Sequence, residues 1–234
     1  MKYKILVAED DNDIVNILKL YLDNSGFDVV YVDNGMDALN AIQEEHIDLA
    51  LLDVIMPIMN GYELTKNIRE ISNIPILIFS AKNEVSDKIL ALNIGADDYL
   101  TKPFDPIEVI ARINSNLRRC YELSDQCNNQ DEKFKLHVGE LHLDLDNCTL
   151  EKNGLLINIT ATEYKILAKL MKYPGRVYSR AQLYESINGE YCDSDDSTMM
   201  VHISNLREKI EEDPKNPKYI KTVRGIGYKF EVKK

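Results

Sequence analysis

The stretch IDLALLD, residues 47–53, decides the fold: an almost wholly apolar run that ends abruptly on a carboxylate, Asp53. Apolar side chains without a polar alternation, over so few residues, describe a strand covered on both faces, the situation of a parallel sheet. Three further runs are built the same way. KILVA (4–8) is followed by Glu9 and Asp10, IPILIF (74–79) by Ser80, and DDYLT (97–101) by Lys102 and Pro103. Parallel strands deliver their C-terminal ends to one edge of the sheet, so Glu9, Asp10, Asp53, Ser80 and Lys102 are expected to converge. In open α/β sheets that edge, at the switch in strand order, holds the ligand. Three carboxylates beside one lysine there point to a divalent cation and a phosphoryl group.

Working outward, strands are expected at 4–8, 28–32, 48–52, 75–79 and 97–101, alternating with helices at 13–24, 35–45, 61–71, 84–94 and 106–119. The first helix carries Ile14, Ile17, Leu18 and Tyr21 at helical spacing and stops at Gly26. The last opens with Asp105 as N-cap, Pro106 at the first helical position and Glu108 where a capping-box acid belongs. Five strand-helix repeats make a doubly wound five-stranded parallel sheet. Residues 121–133, YELSDQCNNQDEK, are polar and aperiodic and read as a linker between domains 1–120 and 134–234.

The second domain changes character. Alternating stretches over 134–159, with the Asn153-Gly154 pair, predict a small antiparallel sheet. Capping boxes at Thr160–Glu163 and Ser179–Gln182 open helices 161–172 and 180–188. A third helix, about 197–212, places Met199, Ile203, Leu206 and Ile210 on one stripe and so turns Val201, Ser204, Asn205 and Glu208 outward. YIKTVRGIGYKFEV then reads as strand, turn and returning strand. Three helices and a hairpin in this order describe an α+β winged helix-turn-helix domain.

Charge separates the halves. Residues 1–133 carry 12 Lys and Arg against 24 Asp and Glu, a balance of −12; residues 134–234 carry 16 against 15, or +1. The second half can therefore approach an anion that the first would repel. Cys120, Cys127, Cys148 and Cys192 lack paired metal spacing and read as free thiols of a reducing compartment. No run approaches the length of a membrane span, and the N-terminal apolar stretch ends at Glu9 without a signal-peptide pattern, so a cytoplasmic protein is expected.

Glu9-Asp10, Asp53 with its following ValIleMetPro and Asn60-Gly61, Ser80-Ala81, the run Gly95 to Phe104, and ThrValArgGlyIleGlyTyr at 222–228 together resemble a two-component response regulator of the OmpR/PhoB family. Val201 to Ile210 is further similar to the VanR-like branch. The resemblance implies a flavodoxin-like receiver phosphorylated on Asp53 by a sensor histidine kinase, which then dimerises and binds double-stranded DNA as a transcription regulator. RNA polymerase is a further partner it allows. It makes Tyr99 the partner of Ser80 in the switch. Lys88, Asp97, Asp98, Glu108, Arg112 and Arg119 match the charged positions that pair across the family's dimer interface, giving Lys88 to Glu108, Asp98 to Arg112 and Asp97 to Arg119.

The chemistry agrees residue by residue. A carboxylate attacks phosphorus poorly until its charge is screened, so Asp53 as nucleophile needs a metal and a cation beside it. Mg²⁺ suits Glu9, Asp10, Asp53 and the backbone carbonyl of Ile55, because it takes few protein ligands and keeps several waters. Lys102 would pair with the phosphoryl oxygens and Ser80 would hydrogen-bond one of them. A small-molecule phosphatase of the haloacid-dehalogenase type would need an acid two residues after the nucleophile, where Ile55 stands, so the chain is not expected to be an enzyme. On the DNA side, Val201 and Asn205 are candidates for base contact and Ser204 shares their face. His202 and Arg207 are candidates for phosphates, and Thr222 and Arg224 belong to the wing.

Overall fold

The structure, a computed structural model, describes residues 2–125, 135–145, 148–188 and 196–231, without the side chains of 118–125, 186–188 and 196–197. It divides into two compact units, Met1–Leu117 and Arg118–Lys234.

In the first unit, strands β1 (Lys4–Ala8), β2 (Asp28–Val32), β3 (Leu49–Asp53), β4 (Ile76–Ser80) and β5 (Asp98–Thr101) alternate with helices. These helices are α1 (Asn12–Asn24), α2 (Gly35–Glu44), α3 (Gly61–Ile71), α4 (Val85–Asn93) and α5 (Pro106–Asp125). All five strands are parallel, in the order β2-β1-β3-β4-β5. Strand order reverses between β1 and β3, where Ala8 pairs with Leu52. That switch point leaves Glu9 and Asp53 on neighbouring strand ends. The sheet is covered on both faces, since every residue of β3 and β4 is buried.

Local signals set the helix starts. Asp11 caps α1 by accepting from Asp13 and Ile14 N–H groups, Asn60 caps α3 through Tyr62 and Glu63, and Asp105 accepts from Ile107 N at 2.8 Å. Glu108, expected to close a capping box, instead gives its carboxylate to Arg112. Helix α5 runs to Asp125, through the first five residues of the expected linker; 126–134 lie outside the described residues.

The second unit has an antiparallel sheet β6-β7-β8-β9, formed by Lys135–Val138, Leu141–Asp144, Thr149–Lys152 and Leu155–Ile157. Helices α6 (Ala161–Lys172), α7 (Arg180–Asn188) and α8 (Asp196–Ile210) follow, and a sheet β10-β12-β11 of Val177–Tyr178, Gly227–Phe230 and Ile220–Val223 closes the unit. Both capping boxes form: Thr160 with Glu163 at α6, and Ser179 with Gln182 at α7. Leu141, Leu150, Leu167, Leu183, Ile203, Leu206 and Phe230 belong to one core that joins sheet and helices. Among the described residues no helix is long and apolar enough to cross a membrane.

Candidate functional site

Three strand ends and one loop assemble the acidic site. Glu9 follows β1 and is 2% exposed, Asp53 ends β3 and is 5% exposed, and Asp10 is exposed. One carboxylate oxygen from each lies within 4.8 Å of the others. Lys102, just past β5, reaches into this cluster with Nζ 2.7 Å from Glu9 Oε2 and 2.8 Å from Asp53 Oδ2. Burial is the largest influence on the Glu9 carboxyl and raises its pKa, with the Asp53 charge adding to the rise against the Lys102 ammonium. For Lys102, burial works downward, but hydrogen bonds and charge from Asp53 and Glu9 outweigh it and hold the ammonium above its ordinary value.

The backbone around Asp53 is fixed from below. Asp53 Oδ1 accepts from Val54 N at 2.6 Å, and Gly61 N donates to Val54 O at 3.0 Å. A Cβ on Gly61 would stand 2.1 Å from Asp53 O, so only glycine lets the start of α3 approach the strand end this closely. Ile55 follows in the same loop and is exposed. The donor set fits a hard divalent cation: three carboxylates, two of them buried and like-charged, with an exposed side for water.

Ser80 ends β4 fully buried. Its Oγ accepts from Lys82 N at 3.2 Å, while the Tyr99 hydroxyl donates to Lys82 O at 2.9 Å. Ser80 and Tyr99 are thus joined through a single residue of the β4–α4 loop. Lys82 Nζ lies 5.5 Å from the Tyr62 ring centroid and 3.6 Å from Asp87.

The charged residues of α4, β5 and α5 are less free than the sequence implied. Asp97 is a correction: its side chain is fully buried and accepts from Arg69 at 2.8 Å and from Ile76 N at 3.0 Å. The Arg69 partner lies 28 residues earlier, so no local pattern announces it. Asp98 is also buried and receives Arg112 at 2.5 Å within the same chain, where Glu108 also holds Arg112 at 2.7 Å. Lys88 is half-buried on α4, and the side chain of Arg119 lies outside the described residues.

On α8 the expected outward face is also corrected. Val201 and His202 are buried, at 9% and 2% exposure, because α6 and α7 both pack on this helix and bury a wider arc than one stripe. The exposed stripe is Met200, Ser204 and Glu208, at i, i+4, i+8 spacing, with Asn205 half-buried at its margin. Met200, 52% exposed, is the apolar group on that stripe; its position four residues before Ser204 was the available signal. Arg207 does not point to solvent. Its guanidinium donates to Ile220 O at 2.7 and 3.0 Å and to Thr222 Oγ1 at 2.9 Å, and it lies over the Tyr228 ring. One turn on, the Glu211 carboxylate accepts from the N–H groups of Lys218, Tyr219 and Ile220 at 2.5 to 3.1 Å. The hairpin is therefore strapped to α8 at two points. Thr222 and Arg224 are exposed on it.

The chain matches the response regulator receiver domain over residues 5–114 and the C-terminal domain of transcriptional regulatory proteins over residues 154–230. It is 39% identical to the response regulator GtcR of Aneurinibacillus migulanus, covering 100% of this chain and 97% of that one. Identity to the regulatory protein VanRc of Enterococcus gallinarum is also 39%, over 99% of this chain and 100% of the other. The crystal structure of DrrB, a Thermotoga maritima OmpR/PhoB homologue, superposes with a TM-score of 0.52 at 30% identity, covering 99% of this chain and 100% of that one. With a receiver-type acidic site in the first unit and a winged helix in the second, the chain belongs to the OmpR/PhoB family of two-component response regulators, which are transcription regulators.

Proposed function

We propose that Asp53 accepts a phosphoryl group from a sensor histidine kinase in the cytoplasm and that this drives the receiver into a dimer that binds promoter DNA. The observation that carries the reading is the contact of Lys102 Nζ with both Glu9 and Asp53 at the strand-order switch. An Asp53 carboxylate oxygen attacks phosphorus as the bond to the donor imidazole nitrogen breaks. Lys102 shifts from the two carboxylates to the phosphoryl oxygens. Glu9, Asp10, Asp53 and the Ile55 carbonyl would hold Mg²⁺, which supplies neutralisation of the phosphoryl charge. Ser80 then turns its hydroxyl to a phosphoryl oxygen and gives up the Lys82 N–H, which loosens the Lys82 carbonyl that holds Tyr99.

Dimerisation through Lys88, Asp98, Glu108, Arg112 and Arg119 requires Arg112 to exchange its partners within the chain for the same groups of a second copy. The effector then presents Met200, Ser204, Asn205 and Glu208 to the major groove and Arg224 to a neighbouring minor groove. Incubation with acetyl phosphate and Mg²⁺, followed by intact mass measurement, tests the acceptor. One phosphoryl adduct on wild type and none on Asp53→Asn is expected; equal adducts on both proteins would overturn the assignment, and rapid turnover without an adduct would favour a phosphatase.

A further inference from the structure

We infer that His137 and His142 form a binding site for a borderline divalent cation such as Ni²⁺, Cu²⁺ or Zn²⁺, separate from the acidic cluster of the receiver. The two residues are register partners on β6 and β7. The hairpin between them closes through the two residues Gly139 and Glu140, with Val138 opposite Leu141. In a two-residue hairpin the closing pair exchanges both backbone hydrogen bonds, so the next pair is the type whose side chains approach most closely, with Cα atoms about 4.5 Å apart. The rings accordingly meet at 4.3 Å between centroids and 76° between planes. Both histidines are exposed, whereas Leu136, Val138, Leu141 and Leu143 alternate with them onto the other face, three of them buried. Two of the four histidines of the chain stand in this one pair.

Two imidazoles on adjacent strands of one sheet are a chelate whose backbone is already ordered; only side-chain rotation is needed for two ring nitrogens to converge. Imidazole selects late first-row cations, while the all-oxygen cluster of Glu9, Asp10 and Asp53 suits hard ones, so the two sites separate by ligand chemistry. Glu151 is the register partner of His142 on the next strand, on the same face. Among the described residues only Glu9, Asp10 and Asp53 converge as a three-ligand group, so here the two imidazoles are the chelate, Glu151 stands at its margin, and water completes the shell. A cation held this way staples β6 to β7.

The test uses full-length, tag-free protein in excess Mg²⁺, so that the acidic cluster is masked. Calorimetric titration with Ni²⁺ should give one site, and electron paramagnetic resonance of the Cu²⁺ complex should show imidazole nitrogen coordination. His137→Gln and His142→Gln should each weaken Ni²⁺ by about tenfold or more and remove the two-nitrogen signature, with Glu151→Gln costing less. His46→Gln should change neither. Unchanged affinity and spectrum in both pair variants would overturn the site, as would loss of the signal on His46→Gln. Circular dichroism of each variant separates loss of ligand from loss of fold.

Discussion

Gly61→Ala should damage the proposed phosphorylation site without touching a charged residue. The added methyl would lie 2.1 Å from Asp53 O, 2.9 Å from its carbonyl carbon and 3.0 Å from Val54 Cα. Ordinary contacts to carbon begin near 3.4 Å, so the start of α3 and the end of β3 must part by more than 1 Å. Both neighbours are backbone, one in a central strand, and cannot rotate aside. Overpacking of this kind costs about 1 to 3 kcal/mol, against which alanine recovers at most about 1 kcal/mol of helix propensity. Displacing a nucleophile by about 1 Å can cost ~10²-fold in rate. Urea denaturation should show the loss of stability, and the phosphorylation rate with acetyl phosphate should fall much further than the folded fraction explains. Wild-type stability and phosphorylation in Gly61→Ala would show that the close approach does not position Asp53.

Lys102→Ala leaves Glu9 and Asp53 buried without their cation and should cost about 3 kcal/mol in Mg²⁺-free buffer, partly restored by Mg²⁺. The Glu9 carboxyl has a folded pKa above its ordinary value, so it favours the folded state at low pH and loses that contribution as pH rises through the folded value. Thermal melts of Lys102→Ala should therefore fall from pH 5 to pH 7, more steeply than in wild type. Glu211→Gln keeps one carbonyl oxygen for three backbone donors and should destabilise the effector by about 1 to 3 kcal/mol, read by denaturation, while weakening DNA binding across sequences in gel-shift titration. Arg112→Glu should abolish activated dimers in sedimentation, with partial rescue by Asp98→Arg; undiminished dimers would move the interface elsewhere.

The parallel sheet was legible because each strand is an apolar run bounded by a polar group, and strand ends from Ala8 to Thr101 fall within one residue of the sequence reading. Convergence of Glu9, Asp10, Asp53 and Lys102 followed from strand direction alone. Periodicity failed where burial comes from more than one side. One apolar stripe on α8 located Met199 and Ile203, but a helix pressed by two others also buries Val201 and His202, which carry no mark of it in a single-helix pattern. Partners distant in sequence were equally silent. Asp97 reads as a surface acid until Arg69 arrives from α3, and Arg207 reads as a free cation until the Ile220 carbonyl occupies it. The two-residue strand β10 is too short for any alternation to show.

The straps from Arg207 and Glu211 hold the β11 side of the wing against α8. A domain that gripped DNA through a loose loop could follow a groove that widens or a site that gains a base pair. Here the base of the wing is tied to the helix. Under the proposed DNA contacts, the distance from Ser204 and Asn205 to Arg224 becomes a property of the protein, so a one-base-pair insertion between the two contacted points is expected to cost as much as losing one of the contacts outright, which gel-shift titration with spaced operators would read. Under that reading, operators are expected to be constrained in spacing as well as in sequence, and selection among promoters would act through the length of DNA that separates two contacts.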